Sequence, residues 1–202
     1  MFALSPGGRR SPSASVSAPR RPRRKDTSMI TSTKLRTAVG ATAIVLLTAG
    51  PALALGPFAR SSGVLSDLAP AASGPFDGAS ARVQLVESSG ASHAVLTVKG
   101  IGATAEGQTF GAHVHDGPCI AGDGASALGH YNSHVHAGLP AEISDQTEVW
   151  LDFTVSNGEG TGNANVPFVP ESGSRSVVIH ALPTNPQTGT AGARLACLTV
   201  AW

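Results

Sequence analysis

The sequence has little of what helical, membrane-spanning or nucleotide-binding proteins require. After residue 56 no segment keeps apolar residues at the 3.6-residue period of an amphipathic helix, which argues against a helical fold. The run that comes closest to a membrane span, Ala38 to Ala49, has 12 residues, whereas a spanning helix needs roughly 20. Nothing in the sequence resembles a catalytic triad, a phosphate-binding loop or a nucleic-acid-binding module, so no nucleic acid is expected as a partner.

Cysteine is scarce, with two residues in the whole chain, Cys119 and Cys197. In an oxidising compartment an even pair favours one disulfide. Such a bridge would close a loop of nearly eighty residues, which stabilises a fold by roughly 4 kcal/mol on the chain-entropy model. Metal ligation by the two thiolates is the alternative that the residues alone leave open.

The first quarter of the chain differs in charge from the rest. Residues 1–54 hold nine Lys or Arg against one acid, a net charge of +8, and residues 55–202 hold five against twelve, a net charge of −7. Residues 1–28 are rich in Arg, Ser and Pro, which predicts a disordered basic extension or a mis-assigned start before Met29. The basic run from Arg20 to Lys25 would suit nucleic acid, but the segment that follows favours the other interpretations.

Residues 29–54 have the three parts of a secretory signal peptide. Lys34 and Arg36 form the charged part, Ala38 to Ala49 the apolar part, and Ala52-Leu53-Ala54 the cleavage site. The protein is therefore expected to be secreted or extracytoplasmic, without stable membrane insertion after cleavage. Residues 55–79 are rich in Pro, Ala, Gly and Ser and predict a flexible leader, in which Leu55 to Leu68 could supply one short strand.

From residue 80 onwards the sequence predicts an all-β domain that extends to residue 202. Short segments of alternating polar and apolar residues are separated by turns rich in Gly, Pro and Asn. In residues 147–156, for example, Val149, Leu151, Phe153 and Val155 share one face. Seven strands are predicted, at 81–88, 92–99, 107–116, 147–156, 163–169, 175–181 and 193–201. This set favours an antiparallel β-sandwich or β-barrel.

All seven histidines lie between His93 and His180. His113 and His115 are two residues apart on a predicted strand, so both imidazoles point to one side while Val114 points to the other. His130 follows a loop rich in Gly and Ala, and His180 ends the apolar run SVVI. Several imidazoles brought together in this way favour a transition-metal site.

Five motifs together resemble those of the copper/zinc superoxide dismutase family. They are HVH at 113–115, Cys119, GHYN at 129–132, VVIHA at 177–181 and GTAGARLAC at 189–197. Their order and approximate spacing agree with the family's, and the resemblance covers roughly residues 81–202. It implies an eight-stranded Greek-key barrel with long metal-site loops, so that the eighth strand is missing or lies between residues 55 and 77. It also favours the disulfide between Cys119 and Cys197 over thiolate ligation.

The resemblance implies copper as the cofactor and superoxide as the substrate. The family's four copper-ligating positions are occupied by His113, His115, His130 and His180. His130 also matches the bridging position between copper and zinc, which implies that it takes up and delivers a proton. Arg194 matches an anion-guiding arginine, whose local positive charge would offset the repulsion of superoxide by a net-negative domain. The implied reaction converts superoxide into dioxygen and hydrogen peroxide, with copper alternating between Cu(II) and Cu(I).

The zinc half of the pattern departs from the family. His134 and His136 follow His130 at a shorter spacing than the family's, and the next acids lack the family's sequence context. The 13-residue segment between His180 and Arg194 is also shorter than the family's loop. The sequence therefore favours copper alone, and zinc held by His130, His134 and His136 is the alternative.

Two functions remain open from the sequence. An exported copper-dependent superoxide dismutase is favoured because all four copper positions and Arg194 are present. A non-catalytic copper-binding or structural protein on the same fold is favoured by the shortened loop and the altered zinc set. A monomer or a homodimer is expected.

Overall fold

The computed structural model describes residues 58–70 and 72–202. The basic extension predicted at residues 1–28 and the signal peptide predicted at 29–54 lie outside the described residues. Both therefore stay predictions.

The regular secondary structure of the described chain is almost entirely β-strand. In chain order they are β1 (Phe58–Val64), β2 (Ser66–Asp67), β3 (Ser80–Ser88), β4 (Ala91–Lys99), β5 (Thr109–Phe110), β6 (Ala112–His115), β7 (Phe153–Thr154), β8 (Glu159–Val166), β9 (Ser174–His180) and β10 (Arg194–Ala201). Two 3-10 helices, Ala103–Ala105 and Gly124–Ala127, and the single-turn helix α1, Ser133–His136, lie in the connections. Within the described ranges no helix has the length and hydrophobicity of a membrane span.

The strands form two four-stranded antiparallel sheets, in the orders β1-β3-β4-β8 and β2-β10-β9-β6, with a small third sheet of β5 and β7. The chain leaves the first sheet after β4, enters the second at β6, and returns to pair β8 with β4. This crossing between sheets is the Greek-key connection. The predicted all-β Greek-key fold with long connecting loops is confirmed.

The strand boundaries differ from the prediction in three places. Strand β1 lies within the segment predicted as a flexible leader, so the eighth strand lies there and the folded part begins before residue 80. The predicted strand 107–116 is divided into β5 and β6. Of the predicted strand 147–156, only β7 forms a continuous ladder with another strand of the described chain. The residues before it make isolated bridges instead, such as His113 to Trp150 and Asn132 to Glu148.

The core lies between the two large sheets and follows the predicted alternation. Val149, Leu151, Phe153 and Val155 are all buried, although few of their neighbours pair in a ladder. The predicted disulfide is confirmed, since Cys119 is bonded to Cys197 of β10. It joins the long loop after β6 to the second sheet and packs with Val178, Leu68 and Ala127.

Candidate metal centre

Four histidines that are far apart in the chain converge at one edge of the second sheet. They are His113, His115, His130 and His180, and one ring nitrogen from each lies within 4.8 Å of the others. Strand β6 pairs with β9, which brings the first two beside His180. An isolated β-bridge between His115 and His130 brings the His130 ring, which follows the long loop after β6, next to the other three.

The alternation of β6 explains why the two neighbouring imidazoles lie outside the core. Val114 points inward and belongs to the main hydrophobic cluster. His113 and His115 therefore point away from that cluster, yet both are fully buried because the long loops cover them. The cluster lies between sheet and loops rather than in the barrel interior.

Each of the four rings uses one nitrogen in a hydrogen bond to a neighbouring protein group. His115 donates from Nδ1 to the Leu128 carbonyl (3.1 Å), and His180 donates from Nδ1 to the Gly192 carbonyl (3.2 Å). His130 Nδ1 bonds Glu148 Oε2 (2.7 Å), and His113 Nε2 bonds Thr184 Oγ1 (2.6 Å). A neutral imidazole that donates from one nitrogen carries a lone pair on the other, so these bonds select the tautomers.

The remaining nitrogens have the arrangement that a metal cation requires. His115 Nε2 and His180 Nε2 are 3.2 Å apart, and two lone pairs at this distance repel each other unless a cation lies between them. His113 Nδ1 is buried and has no hydrogen-bond partner, which is costly unless an ion satisfies it. Four imidazole nitrogens are a donor set for copper, zinc, iron or nickel.

The electrostatics of the cluster keep the rings neutral. Burial, together with the neighbouring His130, lowers the pKa of His115 to about 3. Burial also lowers the pKa of His180 to about 4 and moves that of His113 far below its ordinary value. The three rings are therefore unprotonated at neutral pH, which is the form that binds a metal.

A buried carboxylate holds His130 in place. Burial alone would raise the pKa of Glu148, but the hydrogen bonds from His130, Trp150 and Asn132 outweigh it and lower the pKa. The ionised Glu148 thus accepts from His130 Nδ1 (2.7 Å), from Trp150 Nε1 (2.8 Å) and from Asn132 Nδ2 (3.3 Å). The Nε2 atom of His130 is left for the centre.

A second carboxylate orients His113 through a hydroxyl group. Asp152 accepts hydrogen bonds from the Thr184 hydroxyl (2.7 Å) and from the Thr184 backbone N–H (2.9 Å). Because the hydroxyl hydrogen goes to Asp152, the oxygen accepts from His113 Nε2. His113 consequently presents its unpartnered Nδ1 to the other three rings.

Arg194 lies beside the cluster, opposite His180 in the register of β9 and β10. Its guanidinium donates to the carbonyls of Gly124 and Leu128, and the Leu128 carbonyl also accepts from His115. No ion pair of the described residues involves Arg194. Its positive charge lowers the pKa of His115 and His180 further, which places the charge within electrostatic reach of the centre.

His134 and His136 lie outside the four-histidine cluster. The two ring nitrogens of His136 face Asp116 (2.9 Å) and Glu171 (3.1 Å), and the ring stacks on Tyr131. His134 lies 3.7 Å from Glu142. Across residues 58–70 and 72–202, no group with metal-ligand geometry includes either histidine.

Sequence reasoning missed the groups that support the cluster. None of the motifs that carry the family resemblance includes Glu148 or Trp150. The alternation of residues 147–156 does point to this face. Because Val149 and Leu151 are core positions, Glu148, Trp150 and Asp152 lie on the opposite side. No comparable local pattern points to Thr184, which reaches His113 across 71 residues.

Fold and site together define a β-sandwich protein with a buried four-imidazole metal centre. The sequence model of copper/zinc superoxide dismutase (SODC) matches residues 79–200. The chain belongs to the copper/zinc superoxide dismutase family. A comparison with curated proteins finds no match.

Proposed function

We propose that this chain is an extracytoplasmic superoxide dismutase that uses copper and no zinc. The observation that carries the proposal is the convergence of four imidazole nitrogens, one of them buried without a partner, beside an arginine without a carboxylate partner among the described residues. Family membership supports superoxide as the substrate. The disulfide is compatible with an oxidising compartment.

Copper is the metal that suits this donor set best. Four nitrogen donors match the tetragonal preference of Cu(II), and imidazole also binds Cu(I). His113, His115, His130 and His180 would hold the ion. When bound, copper supplies the one-electron chemistry by alternating between Cu(II) and Cu(I).

The contacts of His130 support a centre without zinc. A bridging imidazole needs both nitrogens for metals, but Nδ1 of His130 is engaged by Glu148. His136 is similarly engaged, by Asp116 and Glu171. Glu148 therefore does for His130 what a second metal would do, since it fixes the ring plane and the tautomer.

Arg194 and His130 have separate tasks in the proposed reaction. Arg194 attracts and orients superoxide, which the net negative charge of residues 55–202 would otherwise repel. In the state in which His130 Nε2 does not hold copper, it would take up a proton from solvent and deliver it to the forming peroxide, while the Glu148 carboxylate stabilises the doubly protonated ring. Glu148 holds the ring in position through both protonation states.

The test is the rate of superoxide consumption by copper-loaded protein, with two matched pairs of variants. His115→Ala removes a ligand and should abolish turnover, whereas His93→Ala removes an exposed histidine of β4 and should not. Arg194→Ala should slow turnover and weaken its dependence on ionic strength. Arg82→Ala removes the same charge from an exposed position on β3 and should leave both unchanged.

Two results would refute parts of the proposal. Copper-loaded protein that consumes superoxide no faster than His115→Ala would favour the non-catalytic copper-binding alternative. Metal analysis that finds one zinc per chain beside copper would defeat the copper-only assignment.

A further inference from the structure

An open groove of about 610 Å³ lies beside the metal centre, on the far side of the residues that support it. Its walls come from three parts of the chain. Asn163 and Asn165 project from β8, Gln146 and Trp150 come from the loop before β7, and Thr184 comes from the connection between β9 and β10. The volume lies within the range of small-molecule sites, roughly 300–1,000 Å³.

The residues that line the groove are mainly polar amides beside one aromatic ring. Three amide side chains, those of Gln146, Asn163 and Asn165, are exposed. Asn165 Oδ1 bonds His93 Nδ1 (2.8 Å), which leaves the two N–H donors of Asn165. Gln146 donates one N–H to Asp145 (3.3 Å), which leaves its oxygen as an acceptor. Trp150 is partly exposed and adds a rigid apolar ring face. Amides beside an indole suit a ligand with hydroxyl groups around an apolar ring face.

The charge of the groove excludes one class of ligand. Asp145 and Asp152 are the charged residues among the lining groups, and no Lys or Arg is present there. The local potential is therefore negative, and anions such as phosphates or uronates are repelled. Among ligands with hydroxyl groups around a ring, those without an anionic group are therefore favoured.

We propose that this groove binds a neutral saccharide, one or more rings of a sugar chain, through the amides of Gln146, Asn163 and Asn165 and the face of Trp150. The proposal does not rest on the metal chemistry. It places a carbohydrate contact next to the positioning residues Asp152 and Trp150, so the protein would be held against a glycan surface with its metal centre close by.

The test is a titration of the whole purified protein, followed by NMR. The chain contains two tryptophans, so the spectrum contains two indole N–H signals whose shifts can be followed during the titration. Trp150 lines the groove and Trp202 does not, which makes Trp202 an internal control. The probes are the neutral trisaccharides of N-acetylglucosamine and of β-linked glucose, with trigalacturonate as the anionic comparison.

We expect the Trp150 signal to shift saturably with at least one neutral trisaccharide, at a dissociation constant on the order of 1 mM. Trigalacturonate should bind at least tenfold more weakly. Gln146→Ala and Asn163→Ala should each weaken binding about tenfold, the effect of losing one well-placed hydrogen bond. Thr161→Ala, an exposed change on the same strand outside the groove, should have no effect.

Three results would overturn the proposal. They are no saturable shift with either neutral sugar, equal binding of trigalacturonate, and equal binding by Asn163→Ala and Thr161→Ala. Because both changes are at exposed positions, a folded variant is expected in each case.

Discussion

At the scale of single residues, the centre is determined by the bonds on the outer side of each ring. Leu128, Gly192, Glu148 and Thr184 each accept from one histidine, so the nitrogens that face each other carry lone pairs. The outer partners are as necessary as the ligands, because they fix tautomer and ring plane. Three acceptors are oxygens that bear no charge, and only His130 has an anionic partner.

That difference leads to a prediction for Glu148→Gln, which keeps the shape of the side chain and removes its charge. Copper affinity should fall by about 10- to 100-fold, the usual effect of changing a group that supports a ligand. Turnover should fall as well, because the doubly protonated His130 ring loses the carboxylate that stabilises it. Copper titration and the rate of superoxide consumption at one fixed pH measure the two effects.

The matched control is Glu142→Gln, which changes an exposed acid near His134. It should leave copper affinity and turnover unchanged. Equal behaviour of the two variants would contradict the role given to Glu148.

The sequence predicted the four converging histidines better than the groups that support them. The two-residue spacing of His113 and His115 shows their common face directly, and the motifs supply His130 and His180. The alternation of residues 147–156 places Glu148 and Asp152 on the face opposite the core, but it does not show that either residue meets a histidine. Thr184 was out of reach, because its contact depends on how the connection after β9 folds back.

At the scale of secondary structure, the pairing of β6 with β9 and of β9 with β10 orders the centre. Val178 pairs with His113 on one side and with Cys197 on the other. The irregularity between Arg194 and Ala196 lies where β10 passes His180. The disulfide then ties the loop after β6 to this same strand.

The sequence predicted best the strands in which apolar and polar residues alternate, because this alternation shows which side of the strand is buried. The sequence allowed one short strand within residues 55–68 but did not locate β1, because its segment, FARSSGV, has small or polar residues at most positions. Residues 147–156 alternate well yet form little ladder, because alternation reports which side is buried and not which partner is paired.

Removal of the disulfide tests the link between loop and sheet. The double change Cys119→Ser and Cys197→Ser should lower the free energy of unfolding of the metal-free protein by about 2–5 kcal/mol. The closed loop is long, with a sequence separation of 78. Urea unfolding of the variant, and of the wild type with and without reductant, measures the effect; an unchanged midpoint would show that the bridge does not constrain the unfolded chain.

At the scale of the whole molecule, the net negative charge of residues 55–202 contrasts with the buried, uncharged rings of the site. The segment from residue 55 to 202 carries −7, yet under the proposed function its four neutral rings would hold a cation and an anion would approach beside Arg194. The sequence predicted this charge and the fold class, because both follow from composition and alternation. It could not give the depth of the site, which depends on loops that cover His113 and His115 completely.

That burial makes the metal-free fold sensitive to acid. His115 and His180 take up protons at about pH 6.5 when unfolded, but only at about 3 and 4 when folded. The unfolded state therefore binds more protons below pH 6.5, and stability falls as the pH falls, by roughly 1.4 kcal/mol per pH unit for each ring. Glu148 acts in the same direction at lower pH, because its folded-state pKa lies below its ordinary value of 4.5.

Urea unfolding of metal-free protein between pH 7 and pH 4.5 measures this slope. His115→Ala should make the slope shallower, and His93→Ala should leave it as it is. A stability that stays constant over this range would mean that the rings are not buried as neutral groups.

The electron paramagnetic resonance spectrum of the Cu(II)-loaded protein shows whether four histidines hold one copper ion. We expect one Cu(II) per chain with hyperfine coupling to four nitrogens, and coupling to three in His180→Ala. A spectrum with oxygen ligands in place of nitrogen, or one that His180→Ala leaves unchanged, would contradict it.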